Sequence, residues 1–367
     1  MNPDRTFAAK ARRFIGRLHE AWRVARGLSP AGPPLLATIA ELRDQLAVAR
    51  AQVGGLATDL AEASRRTLGR GRAASFDLPP TILQAAAAEE AVIVDVGAQN
   101  LSSQDHVYAE LAARLPCRVV GFEPLDSERR ARQATAGGVI MLPHAIGSGR
   151  PGELRETRFN PASSLLEPHQ EALADFLALP EMLEVVSRRR LDTVRLDDVP
   201  ETSGCRILKI DVQGGELDVL RGGVGRLATT VLVFVEVEFF PVYSGQPLFA
   251  DVHAFLEGQG FELLDLVDPG YGSYRAANHG DLRSRLMWAD GLYVRRLREP
   301  AALPAVALVQ LACAAHAFAA AYDYAAHVLA TCDRWHGTSH AEAYRAALHA
   351  AVTRPPLTPP SAGPPGR

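Results

Sequence analysis

An apolar strand that ends in an acid and then breaks into a helix over two glycines constrains this chain more than any other feature. It reads Cys205-Arg-Ile-Leu-Lys-Ile-Asp-Val-Gln-Gly-Gly-Glu-Leu-Asp-Val-Leu-Arg-Gly-Gly223. Period-two alternation puts Lys209 and Asp211 on one face, at the carboxyl end of the strand. In open α/β sheets that end is where ligands bind. Gly214 and Gly215 allow a tight turn into Glu216–Leu220, so Glu216 falls in the first helical turn, where a carboxylate complements the helix dipole. Taken alone, the segment reads equally well as an ordinary strand–turn–helix with solvated charges.

The rest of the chain extends the pattern. Strand-length apolar runs near 92–96, 117–122, 138–142, 206–212, 230–238, 261–266 and 287–295 alternate with helical patterns near 102–115, 126–135, 215–222 and 246–259. That alternation predicts an α/β fold with a parallel, doubly wound sheet. Residues 143–205 break the rhythm with Gly/Pro turns and a polar loop, as an insertion or a substrate-facing segment would.

The flanks differ in character. Residues 1–27 carry Phe7, Phe14, Leu18, Trp22 and Ala25 at helical spacing, with seven basic residues against Asp4 and Glu20. Such a helix can lie on an anionic membrane; docking on its own protein or on a partner is slightly favoured. Heptads follow over 35–63, with Ile39, Leu46, Val53 and Leu60 at one position and Leu35, Leu42, Ala49, Leu56 and Ala63 at the other. They read as an oligomerisation helix, or as a lone amphipathic helix packed on the next domain. Gly69–Pro80 reads as a linker, and the tail from Pro355 is too proline-rich to fold. The alanine-rich stretch 301–330 approaches membrane-spanning length, but Pro304, Gln310, His316, Asp323 and His327 favour a soluble helical pair. Four cysteines without a CxxC pattern suggest buried thiols in a reducing cytosol rather than disulfides or zinc. The formal charge of −3 gives no sign of a nucleic-acid partner.

The first strand, Ala91-Val-Ile-Val-Asp-Val-Gly-Ala-Gln-Asn100, carries Asp95 near its end and a glycine turn at Gly97, and Ser102 or Ser103 stands ready to cap the next helix. The second strand runs to Glu123-Pro124, and Glu123 is placed as an acid accepting both ribose hydroxyls of a nucleoside would be. A dinucleotide needs Gly-x-Gly-x-x-Gly, because its pyrophosphate approaches bare backbone. Here Gly97 is followed by Gln99, Asn100 and Leu101. NAD is disfavoured, and S-adenosylmethionine, which has ribose and adenine but no phosphate, fits the turn. Asp95 is then a candidate for its ammonium, and Asp95, Val96, Gly97, Ala98, Glu123 and Pro124 form the expected cofactor site, with Ala145 and Ile146 facing adenine.

Glu236 and Glu238 point to one face of their strand, beside Asp211 if the two strands are neighbours. Methyl transfer to an alcohol needs a base for the hydroxyl proton. Asp211, Glu238, His144 and Lys209 are the candidate catalytic residues. The carboxylates could instead hold Mg²⁺, or be strand-end acids satisfied by backbone N–H groups or by Lys209. His144 can equally be a satisfied turn histidine, and Asn160–Leu166 offers either loop hydroxyls or a helix cap.

In order, Val94-Asp-Val-Gly-Ala98, Gly121-Phe-Glu-Pro124, Ser163-Ser-Leu165, Arg195-Leu-Asp-Asp-Val199, Leu208–Gly222, Glu236–Phe249 and Gly260-Phe-Glu-Leu263 resemble the FkbM-type family of S-adenosylmethionine-dependent methyltransferases. The resemblance covers roughly residues 90–297. It implies a class I, Rossmann-like fold with seven strands, the last antiparallel, and O-methylation of a hydroxyl on a saccharide, glycolipid or polyketide-type product. A saccharide is the expected acceptor; a non-catalytic scaffold that keeps the fold is the alternative class. Gln213 departs from the family by standing where Glu is common, and Asn100–Ser103 replaces an Asn-x-Gly turn. The expected organisation is an amphipathic helix plus coiled coil over 1–68, a linker 69–80, a methyltransferase domain 81–297, a helical extension 298–353 and a disordered tail. The expected setting is cytoplasmic, with membrane contact only through residues 1–27.

Overall fold

The computed structural model describes residues 76–98, 106–135, 138–278, 280, 282–298 and 303–353. The basic helix of 1–27, the heptads at 35–63, the turn at Gln99–Ser103 and the proline-rich tail lie outside the described residues.

The strands are β1 (Ala91–Val96), β2 (Cys117–Phe122), β3 (Val139–Leu142), β4 (Ala145–Ile146), β5 (Pro151–Thr157), β6 (Val185–Val194), β7 (Cys205–Ile210), β8 (Leu232–Glu238), β9 (Phe261–Gly272) and β10 (Arg285–Arg295). The longer helices are α1 (Pro80–Ala86), α2 (Ala109–Arg114), α3 (Asp126–Thr135), α4 (Glu216–Gly222), α5 (Phe249–Gly258), α6 (Ala305–Ala319), α7 (Tyr322–His336) and α8 (His340–Thr353). Seven strands form one sheet in the order β3-β2-β1-β7-β8-β10-β9. β1, β2, β3, β7 and β8 are parallel, while β10 runs antiparallel to both β8 and β9. This mixed α/β, mostly parallel sheet is the architecture that the strand–helix alternation predicts.

The sheet separates two apolar layers because successive side chains alternate in direction. Val92, Val94, Val120, Leu208, Ile210, Val233 and Val235 meet Leu217, Leu220, Val252 and Leu256 from α4 and α5. Ile93, Val119, Ile207, Leu232, Phe234 and Leu292 meet α1, α2 and the C-terminal helices on the other side. Strands buried on both faces are apolar along most of their length, as β1 is: all six of its residues are buried, and Asp95 is the one that is not apolar.

The C-terminal helices therefore complete the core. α6 buries Leu308, Val309, Leu311 and Ala312, and its Gln310 Nε2 donates to the carbonyls of Ala86 (3.1 Å) and Glu89 (2.9 Å) near the start of the domain. Within the stretch read as a linker, Leu78 is buried and Phe76 packs edge-on against His316 and Tyr344. α6 and α7 are separated at Ala320, whose φ is +49°, and each spans 15 residues. No helix among the described residues is long and apolar enough to cross a membrane.

The interval that broke the alternation holds a second, three-stranded sheet in the order β4-β6-β5. Its hairpin is laced by ion pairs, Arg188 to Glu153 and Glu167, and Arg189 to Glu156. It is also pinned to the main sheet. Ser164 Oγ donates to the carbonyl of Gln213 at 2.6 Å and accepts from the Leu166 amide. The hydroxyls of Asn160–Leu166 thus act in part as a clasp between the insertion and the turn after β7.

Candidate functional site

On one face of the sheet the apolar layer stops abruptly near the carboxyl ends of the parallel strands. Ile93 is paired with Ile207, and two residues on Asp95 is paired with Lys209. Across β8 and β10, Phe234 pairs with Leu292, and the next pair on that face is Glu236 with Asp290. Asp211 follows Lys209 on the same face. Four adjacent strands thus carry a row of ionisable side chains near the carboxyl ends of the parallel ones, where a doubly wound sheet places its ligand.

Gly97 brings the ends of β1 and β7 together. Its φ is +82°, and a Cβ there would lie 1.8 Å from the Asp211 carbonyl oxygen. The Asp211 amide donates to the Val96 carbonyl at 3.0 Å, and the Ala98 amide donates to the Phe122 carbonyl at 3.0 Å. Val96 and Ala98 are fully buried and offer backbone rather than side chain.

Asp95 is held from several sides. Its Oδ2 accepts the Tyr108 hydroxyl at 2.6 Å and lies 3.4 Å from His106 Nδ1. Arg132 donates in turn to the Tyr108 hydroxyl at 3.0 Å. The Lys209 ammonium lies 3.5 Å from Asp95 Oδ1 and 3.5 Å from Asp211 Oδ2, and donates to the Gly97 carbonyl at 3.1 Å. Burial works against the Lys209 charge, but Asp211, Asp95, Asp290 and Glu236 outweigh it and hold its pKa above that of an ordinary lysine. Lys209 is therefore a fixed cation and cannot accept a proton near neutrality.

Glu123 closes the end of β2. Its amide donates to the Leu142 carbonyl at 3.2 Å, and its Oε1 accepts the Leu125 amide at 2.7 Å across Pro124. Burial is the largest influence and pushes its pKa up to about 7; the Leu125 hydrogen bond opposes it. A buried carboxyl in this state gains from any ligand that donates hydroxyl hydrogens to it. A cleft of about 430 Å³ opens nearby, lined by Leu125, Asp126, Ser127, Thr157, Asn160 and Arg189 among others. It flanks Glu123 rather than the acid row. Ala145 is half-buried and Ile146 buried just beyond β3. His144 beside them is half-buried and makes no hydrogen bond or ion pair among the described residues; the structure does not join it to Asp211 or Glu238.

Gln213 organises the acids. It adopts φ +61°, unusual for a residue with a side chain, and its Nε2 donates to Asp211 Oδ1 (2.9 Å) and Glu236 Oε2 (2.7 Å). The Tyr243 hydroxyl lies 3.1 Å from Gln213 Oε1 and 2.8 Å from the Ala162 carbonyl. Read from sequence as a missing carboxylate, Gln213 is in fact a neutral bridge between two carboxylates. Glu216 turns inward, its Oε1 accepting the amides of Val212 (2.9 Å) and Gly214 (3.1 Å). Burial and the neighbouring carboxylates raise the pKa values of Glu216 (to about 7), Glu236, Glu238 and Asp290 (to about 7). Asp211, with 28 % of its side chain exposed, is the accessible carboxylate of the group, whereas Glu238 is buried.

Residues 95–263 match the family model described as the methyltransferase FkbM domain. This stretch is similar to an FkbM methyltransferase domain. The match begins at Asp95 and ends at Leu263, just inside β9, so it contains Glu123, Lys209, Asp211, Gln213, Glu216, Glu236 and Glu238. No curated protein matches the chain. A solved protein of the NADB-Rossmann superfamily from Streptococcus agalactiae is similar at 11 % identity and a TM-score of 0.28, with 76 % of this chain and 95 % of that one covered. An uncharacterized protein from Listeria monocytogenes serotype 4b is similar at 8 % identity and a TM-score of 0.29, with 75 % and 100 % covered.

Sequence reasoning missed several parts of the candidate site. Tyr108 and His106 reach Asp95 from outside its strand, with Arg132 bonded to the Tyr108 hydroxyl, and no local pattern announces them. Asp290 was legible in principle, since it shares the parity of Trp288 and Leu292 in β10. The signal for Glu216 was present but read only as helix-dipole complementarity.

Proposed function

We propose that the protein is an S-adenosylmethionine-dependent O-methyltransferase whose acceptor is a hydroxyl on a saccharide. The observation that carries the donor assignment is the pairing, within a methyltransferase domain, of a glycine turn at Gly97 with a buried carboxyl at Glu123. Gly97 leaves bare backbone where β1 and β7 meet. Glu123 would take the ribose hydroxyls, with Pro124, Ala145 and Ile146 beside the base. Asp95 is already engaged by Tyr108 and Lys209, so its part is to fix the β1 end rather than to supply a free carboxylate.

When bound, the donor supplies a methyl group on a positively charged sulfur, and the protein's own task is alignment and proton removal. Asp211 is the base in this reading. It is the exposed member of the row, and Gln213 and Lys209 hold its two oxygens. The polar lining of the cleft beside Glu123, with Asp126, Ser127, Thr157, Asn160 and Arg189, suits a hydroxyl-rich acceptor better than an apolar one.

Calorimetric titration with S-adenosylmethionine tests the donor. Glu123→Ala is expected to weaken binding by about 1–3 kcal/mol, the cost of losing charge-assisted hydrogen bonds. Asp211→Asn should slow methyl transfer to a panel of saccharide acceptors while leaving donor affinity within about twofold. A wild-type chain that binds no donor would overturn the proposal.

A further inference from the structure

We propose that Glu216, Glu236 and Glu238 form a binding site for one hard divalent cation, Mg²⁺ or Ca²⁺, alongside the Asp211 carboxylate. One oxygen from each of the three lies within 4.8 Å of the others. Oxygen ligands sit about 2.0–2.6 Å from these ions, so atoms sharing one coordination sphere are at most about 4–5 Å apart. Within 4.8 Å of one another, the three oxygens meet the wider limit, that of Ca²⁺, as the protein stands.

The decisive observation is an orphan. Glu238 is 4 % exposed, and its Oε2 is buried with no hydrogen-bond partner among the described residues. A buried carboxylate oxygen without a donor costs free energy unless something fills the place of the missing partner. Glu216 and Glu236 have each committed one oxygen, Glu216 to the Val212 and Gly214 amides and Glu236 to Gln213. Those bonds orient the two side chains and leave each a second oxygen. Outer-shell hydrogen bonds of this kind commonly hold ligating carboxylates in place.

Lys209 forms ion pairs with Asp95 and Asp211, and among the described residues no Lys, Arg or His lies within ion-pair distance of Glu216, Glu236 or Glu238. Burial first, and then the neighbouring carboxylates, raise all three carboxyl pKa values, and a cation beside them would offset both. An all-oxygen donor set without His or Cys selects a hard ion over zinc or copper. The position suggests a purpose that rests on the methyltransferase reading. A charge of +2 beside the accessible Asp211 would draw an acceptor hydroxyl and ease loss of its proton.

The test uses the full chain, freed of metal with EDTA, exchanged into chelator-free buffer and titrated with Mn²⁺ while free Mn²⁺ is followed by electron paramagnetic resonance. One saturable site per chain is expected, with Mg²⁺ or Ca²⁺ competing for it. Glu238→Gln should weaken that site at least about tenfold. In EDTA the same substitution should raise the urea midpoint, because a neutral amide replaces a repelled carboxylate; an unfolded variant would simply lack a transition. Glu236→Gln serves as a second variant and should also weaken the site at least about tenfold. Non-saturating Mn²⁺ binding by the wild-type chain, or equal affinity in both variants and wild type, would overturn the site. Titration of the same metal-free samples with S-adenosylmethionine keeps the two proposals apart: donor binding without a manganese site sinks only the cation.

Discussion

Replacing Gly97 with alanine probes the junction on which the candidate site is built. Two costs are separable. The first is conformational: φ of +82° is strained for any residue with a Cβ, at about 1–2 kcal/mol, partly offset by about 0.4–1 kcal/mol from the stiffer unfolded chain. The second is steric. The new Cβ would lie 1.8 Å from the Asp211 carbonyl oxygen, so backbone must retreat by more than about 1 Å to reach ordinary contact. Backbone cannot swing aside as a flexible side chain can. Overpacking of this kind costs about 1–3 kcal/mol, and losing the Asp211–Val96 hydrogen bond adds about 1 kcal/mol. Gly204 provides the internal control, because its φ is +75° and nothing lies within 4 Å of a Cβ there. Gly204→Ala is therefore expected to cost about 1 kcal/mol or less, and Gly97→Ala about 3–5 kcal/mol. Urea denaturation measures both, and the gap should appear as a midpoint difference of about 1 M or more at unchanged slope. Equal midpoints for the two variants would refute the claim that contact with Asp211, rather than backbone conformation, makes glycine necessary at position 97.

The remaining predictions concern charge and the C-terminal helices. Glu123 carries a pKa of about 7, well above its unfolded value, so the native state holds the extra proton and Glu123's contribution to stability falls as pH rises from about 4.5 to 7. Denaturant midpoints measured across that window should depend less on pH in Glu123→Gln; an unchanged slope would refute the assignment. A ligand that donates hydroxyls to ionised Glu123 should bind about tenfold more tightly at pH 8 than at pH 6, and flat calorimetric affinities would rule this out. Gln213→Glu should destabilise the protein by about 2–4 kcal/mol at pH 8 in EDTA, because a donor between two carboxylates becomes a third acceptor. The loss should shrink at pH 5, and a pH-independent loss would exclude charge as its cause. Finally, Leu308→Ala in fully buried α6 should cost about 2–5 kcal/mol in urea denaturation, whereas a loss below about 0.5 kcal/mol would mean that α6 is not part of the core.

Much of the main sheet was legible because buried parallel strands leave an unbroken apolar run. The expected strand at 117–122 coincides with β2, and the expected helix at 126–135 with α3. Less legible was the extent of β9 and β10, which form a long hairpin to Gly272. There the outer residues alternate polar and exposed, so hydrophobic pattern fades before pairing does. The β5–β6 hairpin escaped notice for the same reason: Val186–Arg190 is exposed, and pairing rather than burial defines it. At the site, Asp95, Gly97, Glu123, Lys209 and Asp211 were visible because strand-end chemistry is local. The bridging by Gln213 and the inward turn of Glu216 depend on a left-handed residue and on strand neighbours distant in sequence. No local pattern encodes either.

Gln310 joins the last third of the chain to Ala86 and Glu89, and this has a consequence for synthesis. On the ribosome, β1, β2 and β7 emerge long before the helices that cover one of their faces. The nascent sheet then presents Ile93, Ile207 and Phe234 to water or to whatever holds the chain until residues beyond Leu303 leave the exit tunnel. The order of translation thus leaves the sheet half-clad until those helices follow.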